Sequence, residues 1–434
     1  MSLVNKVQHL GSAARGRPDL PCRLGAARVA LCAVFAAHGF IFASWAVRVP
    51  AIKEQTGASP AALGLALLGL SAGAVATMMI AGALCRRLGS QPVAVISCTL
   101  LSVTVVLPAL ARSATALGLA LLVFGAAYGC LNVAMNSIAV DLVAALRRPV
   151  MPGFHAAWSF GGLAGAALGG LLAPHLSPAK DLLLVALAGL LVTALAGRAL
   201  LASASWLPGA AGTSTPPPGR QAPADRQAPA DRQASADGQA SANGQASAWR
   251  RARETGRAVG VFGLIALCAA YDEGAIGDWG ALHLRQDLRV GAGLAAAGYA
   301  AFALAEATGR LSGTSLLERL GRTRVLVLGG LTACAGMLLA SLAPDVWLAL
   351  VGFAATGLGL ANLFPAAIAR SSLLAGSAGV ALTSLLGYSG FLLGPPAIGF
   401  LASEFGLRAG LTTLSLLALA AATIAYLSAD RTDP

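Results

Sequence analysis

Charged residues are scarce in this sequence. Asp, Glu, Lys and Arg make up 11% of the 434 residues, whereas hydrophobic residues make up 57%. Soluble domains contain about a quarter charged residues, because a folded chain needs a polar surface in water. The mean hydropathy of +0.74 therefore predicts that lipid surrounds most of this chain.

The sequence also lacks paired cysteines. Seven cysteines occur singly, none forms a C-x-x-C pair, and none lies at a metal-ligand spacing from a histidine. This pattern predicts neither a disulfide framework nor a metal site. Neither an H-E-x-x-H string nor a phosphate-binding loop is present, so nothing indicates a metalloprotease or a nucleotide-driven pump. We therefore expect a protein that is not an enzyme and has no cofactor.

Twelve apolar stretches account for most of the chain. Each is long enough for a helix that crosses the hydrocarbon core, which needs about 20 apolar residues. The sequence thus predicts an all-α membrane protein with twelve transmembrane helices. The stretches fall near 27–47, 61–84, 92–111, 115–139, 154–174, 181–203, 259–282, 291–312, 324–343, 346–369, 378–402 and 407–428.

A polar segment divides the stretches into two groups of six. Residues 204–258 contain three consecutive prolines from Pro216 and then a six-residue repeat marked by glutamine. This composition offers little to bury and predicts a disordered linker. The predicted organisation is a tail, a six-helix bundle, the linker, a second six-helix bundle and a short tail. Their bounds are 1–26, 27–203, 204–258, 259–428 and 429–434.

The basic residues predict the orientation in the membrane. With the N-terminus in the cytoplasm, 23 of the 30 Lys and Arg residues fall on the cytoplasmic side. This is the usual positive-inside bias, and it accounts for the net charge of +12 without a nucleic-acid partner. We expect a multi-pass protein of the plasma (inner) membrane with both termini and the linker in the cytoplasm.

The two groups of helices look like copies of one unit. Three landmarks recur at offsets of 232, 230 and 229 residues. They are Arg87 and Arg319, Gly129 and Gly359, and Gly161 and Gly390. This near-constant offset predicts two pseudo-symmetric bundles. Such duplicated units rock around a binding site near the bilayer midplane.

Several motifs resemble the major facilitator superfamily. The loop from Gly82 to Gln91 is similar to the family motif G-x-x-x-D-R-x-G-R-R, with Arg86 at its acidic position, and the copy from Glu318 to Arg324 is closer to it. Four other strings resemble the MosC/YbjJ-like branch of that family. They begin at Trp45, Gly153, Glu273 and Gly387. The resemblance implies the twelve-helix fold of the family and a rocker-switch, alternating-access mechanism.

We therefore expect a secondary active transporter of a small polar solute, of the sugar, polyol or inositol-like class, coupled to protons. Drug or metabolite efflux by an antiporter of the same fold is the alternative, and a non-transporting membrane sensor is a further one. The expected partners are the solute, protons and the lipid bilayer, and we expect a monomer.

Ionisable side chains inside a bilayer are costly and usually serve a function. Asp272 and Glu273 are adjacent in the seventh stretch, and His155 opens the fifth. These three are the predicted proton-coupling residues. Contacts with neighbouring helices are the alternative role for each of them.

Amide, imidazole and aromatic side chains within the stretches are candidates for the substrate cavity, because they offer both donors and acceptors to a hydroxylated solute. Interhelical hydrogen bonding is the alternative. The candidates are His38, Trp45, Asn132, Asn136, Trp158, Tyr299, Asn362 and Tyr388.

Charged pairs are candidates for gates. Arg48 and Asp278 are expected at similar depth, where they could form an ion pair or simply reach the membrane surface. Glu306 and Arg310 lie four residues apart on one helix face, where they could form a structural salt bridge or an inner gate. The loop motif adds two further gating candidates, Glu318 and Arg319.

Overall fold

The computed structural model describes residues 20–146, 150–203 and 236–429, and within these ranges the chain is helical without strands. The first group of helices is α1 Leu20–Ala46, α2 Val49–Thr56, α3 Pro60–Leu88, α4 Ser90–Thr104, α5 Leu107–Leu110, α6 Ala114–Leu146, α7 Met151–Leu172 and α8 Pro178–Ser203. The second group is α9 Ala236–Gln286, α10 Ala292–Leu320, α11 Arg322–Leu342, α12 Val346–Leu360, α13 Leu363–Phe405 and α14 Leu407–Leu427.

The helices form a membrane-spanning bundle. Among the described residues, ten spans are long and apolar enough to cross a bilayer. Large apolar side chains such as Met79, Leu195 and Leu373 are mostly exposed on the outside of the bundle. This apolar outer surface suits lipid. Two further helices, α7 and α10, pack within the bundle and bring each group to six spans.

The two groups pack in the same pattern. In the first, α1 packs against α7 and α3 against α6; in the second, α9 packs against α13 and α10 against α12. The repeated glycines explain part of this symmetry. A Cβ at Gly161 would lie 2.0 Å from the Ala36 carbonyl oxygen on α1, and one at Gly390 would lie 2.4 Å from the Leu267 carbonyl oxygen on α9. Both positions bring two helix backbones into contact.

Helix α13 contains two spans that run in opposite directions. The Thr383 hydroxyl donates to the Ser371 hydroxyl at 2.6 Å, although 12 residues of straight helix would separate these two residues by about 18 Å. The chain therefore reverses between them. The first part of α13 is the end of the span Val346–Ala375, and the second part is the span Leu382–Phe405.

The halves meet closely at one end of the bundle, which we call the sealed end. There α3 touches α13, because a Cβ at Gly64 would lie 2.6 Å from the Pro395 carbonyl oxygen. Likewise α7 touches α10, where a Cβ at Gly293 would lie 2.9 Å from the Gly170 carbonyl oxygen. The sealed end also carries α2, in which Glu54 pairs with Arg285 at the end of α9 at 3.2 Å.

The structure differs from the predicted linker in its second part. Residues 236–258 belong to α9 instead of being disordered, whereas 204–235 lie outside the described residues. The alanines, arginines and glutamines of this part favour helix. They also extend a helix that the membrane span has already nucleated, which costs far less than starting one. Most of the first tail (1–19) and the last five residues (430–434) also lie outside the described ranges.

Candidate functional site

A cavity of about 170 Å³ lies between the two halves, in the interior of the bundle. Both halves contribute to its wall. Its aromatic lining residues are Phe35, Phe42, Tyr128, Trp158, Tyr299, Phe364, Tyr388 and Phe391. Its polar and charged lining residues are Ser71, Asn132, His155, Glu273, Asp278 and Arg310. His155, near the start of α7, is exposed, so the cavity communicates with solvent at the end opposite the sealed one.

Arg310 on α10 is the centre of a charged cluster in this wall. Its guanidinium contacts Glu306 at 2.7 Å and Glu273 at 3.5 Å. It also donates to the Ser159 hydroxyl on α7 at 3.0 Å and lies over the Trp158 ring at 5.6 Å. The predicted Glu306–Arg310 contact is therefore present. The structure adds that Arg310 reaches Ser159 across the interface between the halves.

The predicted contact between Arg48 and Asp278 is wrong for this conformation. The Arg48 Nε donates to Asp181 Oδ2 at 2.5 Å, and its Nη1 donates to the Ala173 carbonyl at 3.3 Å. The reason is geometric: α1 ends at Ala46, and Arg48 then points at the junction of α7 and α8 in its own half. Asp181 lies in the first turn of α8, while Asp278 faces the cavity.

Asp278 is 8% exposed and lines the cavity. Within the described ranges, no side chain or backbone group donates a hydrogen bond to its carboxylate or forms an ion pair with it. Asp278 therefore differs from Glu273 and Glu306, which share the Arg310 guanidinium.

The cavity candidates separate into two sets. Four of them line the cavity: Asn132, Trp158, Tyr299 and Tyr388. Asn132 and Tyr388 also join the two halves, because the Tyr388 hydroxyl donates to Asn132 Oδ1 at 3.1 Å.

The other four candidates lie behind the wall and hold helices in place. Trp158 Nε1 donates to His38 Nδ1 at 3.0 Å, and the buried His38 ring stacks on Tyr128 at 4.0 Å between centroids. Asn136 donates to the Asn132 carbonyl at 2.8 Å, and Asn362 donates to the Gly309 carbonyl at 3.0 Å. Trp45 is fully buried and packs edge-to-face on Phe124. The interhelical hydrogen-bond alternative fits His38 and Asn362, whereas Asn136 bonds within its own helix and Trp45 contributes packing.

The proton-coupling candidates also divide. Glu273 and His155 line the cavity, whereas Asp272 is 1% exposed and lies outside the cavity wall. The gating candidates Glu318 and Arg319 are exposed at the end of α10, far along the helix from the cluster around Arg310.

Some functional residues carried no signal in the sequence. Phe42, Tyr128 and Phe391 are aromatic residues of apolar helices, and their sequence context does not tell a cavity-facing ring from a lipid-facing one. Ser159 follows the predicted Trp158 directly, so proximity could have drawn attention to it. Asp181 could have been found as an acidic residue in the first turn of a helix, where the macrodipole favours a negative charge.

Comparison with known proteins agrees with this architecture. The family model of the Major Facilitator Superfamily matches residues 30–271 and 262–434. An MFS-type transporter of Yersinia pestis is 30% identical over 88% of this chain and 91% of the relative. The transporter y4wD of Sinorhizobium fredii is 31% identical over 91% and 96%, and the membrane protein MosC of Rhizobium meliloti is 29% identical over 86% and 83%.

Solved structures match in the same way. A bacterial homologue of the lysosomal transporter Spinster, in an inward-facing and unoccupied conformation, has a TM-score of 0.69 at 16% identity, with 96% and 98% of the two chains covered. The nucleoside transporter NupG has a TM-score of 0.65 at 14% identity, with 93% and 98% covered. At this identity the likeness shows the fold. Together with the match across both halves, it establishes that the chain belongs to the Major Facilitator Superfamily and has the fold of its transporters.

Proposed function

We propose that this chain is a proton-coupled secondary transporter that carries a small hydroxylated solute, of the sugar or polyol class, through the central cavity. The observation that carries the proposal is a pair of hydrogen bonds between side chains that join the two halves at this cavity. These are the contacts of Tyr388 with Asn132 and of Arg310 with Ser159. A solute with several hydroxyl groups can replace both contacts, since each offers a donor and an acceptor.

The size of the cavity also supports a small solute. Pockets for drug-sized ligands typically occupy about 300–1,000 Å³, whereas this cavity occupies about 170 Å³. The aromatic rings in its wall present flat apolar faces on which the carbon skeleton of a ring-shaped solute can stack. The polar groups between them fix its orientation.

The close contacts at the sealed end support a rocking mechanism. Small residues on α3, α7, α10 and α13 let the helix backbones touch there, and the Glu54–Arg285 pair at this end is solvent-exposed, so the halves can separate as rigid units. Under the positive-inside orientation, the sealed end is extracellular and the open end is cytoplasmic. The protein then functions in the plasma membrane with both termini in the cytoplasm, as a monomer whose two halves form one transport path.

The cluster around Arg310 supplies a route for proton coupling. One guanidinium faces two carboxylates, of which Glu306 is closer and Glu273 is farther. A proton on Glu273 would remove the excess negative charge and leave Arg310 with Glu306. The strength of the Arg310 contact across the interface would then depend on whether Glu273 holds a proton.

Proteoliposome uptake tests this proposal. The full-length protein is reconstituted, and labelled sugars and polyols are offered under an imposed pH gradient. We expect at least one of them to accumulate, and we expect a proton ionophore to abolish accumulation. Glu273→Gln should remove gradient-driven accumulation but keep solute exchange at equal pH. Glu404→Gln, which changes an exposed acid on α13, is the matched control. Accumulation that survives both the ionophore and Glu273→Gln would refute proton coupling.

Efflux of a more lipophilic solute is the second candidate, because the cavity wall contains eight aromatic side chains. The same vesicles separate the two functions. Efflux predicts that an imposed gradient drives lipophilic dyes across the membrane and leaves sugars and polyols behind.

A further inference from the structure

Asp278 is a buried carboxylate that faces a cavity and has no partner among the described residues. It is 8% exposed. A carboxylate that is removed from bulk water without a compensating partner is strongly destabilising. Such groups persist in membrane helices where a ligand, an ion or a proton completes them. The missing partner of Asp278 therefore points to something that enters the cavity.

The charges of the cavity favour a positively charged ligand. Besides Asp278, the ionisable groups in its wall are Glu273, Arg310 and His155. Arg310 is already engaged by Glu306 and Glu273, at 2.7 and 3.5 Å. In and beside the wall there are thus three carboxylates and one guanidinium, and Asp278 is the carboxylate that does not contact it. A cation that enters would balance this excess, whereas an anion would increase it.

The surroundings of Asp278 suit an organic cation. Gly277, the residue before it, lies against two rings of the wall: a Cβ at this position would be 3.4 Å from the Phe42 ring and 3.7 Å from the Tyr299 ring. One turn earlier, a Cβ at Gly274 would be 2.6 Å from the Phe391 ring. Aromatic faces attract a desolvated ammonium group. The absence of side chains at Gly274 and Gly277 leaves these rings free to approach the helix next to the carboxylate.

From this arrangement we propose that Asp278 is an ammonium subsite, and that the solute which this cavity carries has a primary amine that binds the Asp278 carboxylate between aromatic rings. The inference rests on the proposed transport function in so far as a solute must occupy the cavity. It adds the charge of that solute, and it reassigns Asp278 from a gate to a specificity-determining residue.

Binding to the wild-type protein tests the charge preference. Two pairs of probes are compared by calorimetry on purified full-length protein in nanodiscs at pH 7. One pair has a hydroxylated skeleton (glucosamine and glucose), and the other has an aromatic skeleton (tyramine and 4-ethylphenol). We expect each amine to bind about tenfold more tightly than its neutral partner, as a charge-assisted hydrogen bond would give. Equal affinity within both pairs would overturn the inference.

The variant Asp278→Asn tests whether Asp278 causes the preference for amines. Asp278→Asn keeps the size of the side chain and removes its charge, so we expect it to bring the two members of each pair to within about twofold. Binding of the neutral member reports that the variant is folded. Glu404→Gln, which removes an exposed carboxylate elsewhere, should retain the full preference. A preference for amines that survives Asp278→Asn would place the cation elsewhere and refute the assignment.

The two skeletons separate the inference from the proposed function. If tyramine binds more tightly than 4-ethylphenol while neither sugar binds, the ammonium subsite is supported and the hydroxylated-solute proposal is refuted. If glucose binds and is transported as well as glucosamine, the transport proposal stands and the ammonium subsite falls. If neither amine binds at millimolar concentration, the subsite is refuted irrespective of the neutral probes.

Discussion

The Tyr388 hydroxyl donates a hydrogen bond to Asn132 Oδ1 at 3.1 Å, and this bond joins the second half of the molecule to the first. Both side chains line the cavity. The bond is therefore made at the place where a solute would bind, and it holds the halves together in the conformation with the sealed end closed. Its loss should affect solute binding and conformational preference at the same time.

Tyr388→Phe removes this bond while it keeps the aromatic ring. A hydrogen bond of this kind contributes about 0.5–1.5 kcal/mol, so we expect the affinity for a transported solute to fall about three- to tenfold. Calorimetry on the purified protein measures the change. Ser389→Ala is the matched control, because the neighbouring hydroxyl donates to Leu385 within its own helix. The expected fall arises because the solute takes over the Tyr388 hydroxyl from Asn132, so an unchanged affinity in Tyr388→Phe would contradict a contact between the solute and this hydroxyl.

A second prediction concerns the buried ion pair of Arg48 and Asp181, whose side chains are 3% and 1% exposed. Removal of one partner from such a pair leaves an uncompensated charge and costs about 3–5 kcal/mol. We therefore expect Asp181→Asn to lower the thermal stability of the purified protein markedly. The structural reason is that this pair ties the segment after α1 to the start of α8.

Exchange of the two charges distinguishes this pair from the one expected from the sequence. Arg48→Asp combined with Asp181→Arg should recover part of the stability that each single change removes. Arg48→Asp combined with Asp278→Arg should recover none, because Asp278 lies on the cavity wall. Thermal unfolding in detergent provides the measurement. Recovery by the second combination alone would mean that Arg48 pairs with Asp278 in the dominant conformation in solution.

The sequence could predict those features that the bilayer or local geometry imposes. The thickness of the hydrocarbon core sets the length of each span, so hydropathy alone located them. The duplication was visible because Gly161 and Gly390 have the same task, the close approach of two helix backbones. The Glu306–Arg310 contact was predictable because residues four apart on a helix are neighbours.

The faces of the helices could not be predicted. In a soluble helix the polar side faces water, but α9 is apolar around most of its circumference near Asp272 and Asp278. The hydropathy pattern therefore does not show which acid faces the cavity. The partner of Arg48 is 133 residues away, and its choice depends on the orientation of α7 and α8 relative to α1. Such long-range packing is set by side-chain fit across helices and leaves no periodic trace in the sequence.

The last prediction concerns the sealed end, where α3 and α13 touch. A Cβ at Gly64 would lie 2.6 Å from the Pro395 carbonyl oxygen and 3.0 Å from the Gly399 Cα, which are backbone atoms that cannot move aside. We expect Gly64→Val to prevent closure of this end, so that solute can still bind but is no longer transported. Gly25→Val is the control, because a Cβ at Gly25 meets nothing within 4 Å.

Two measurements on the same preparations check this expectation. Calorimetry should show solute binding within about threefold of the wild-type affinity. Proteoliposomes should show less than about a tenth of the wild-type uptake. A tenfold loss of the conformation with the sealed end closed needs little more than about 1.4 kcal/mol. If the Gly64→Val protein transports at the wild-type rate, Gly64 and Gly399 need not touch during the transport cycle. The sealed end would then have to close through other contacts, such as those of Gly170 with Gly293 and of Glu54 with Arg285.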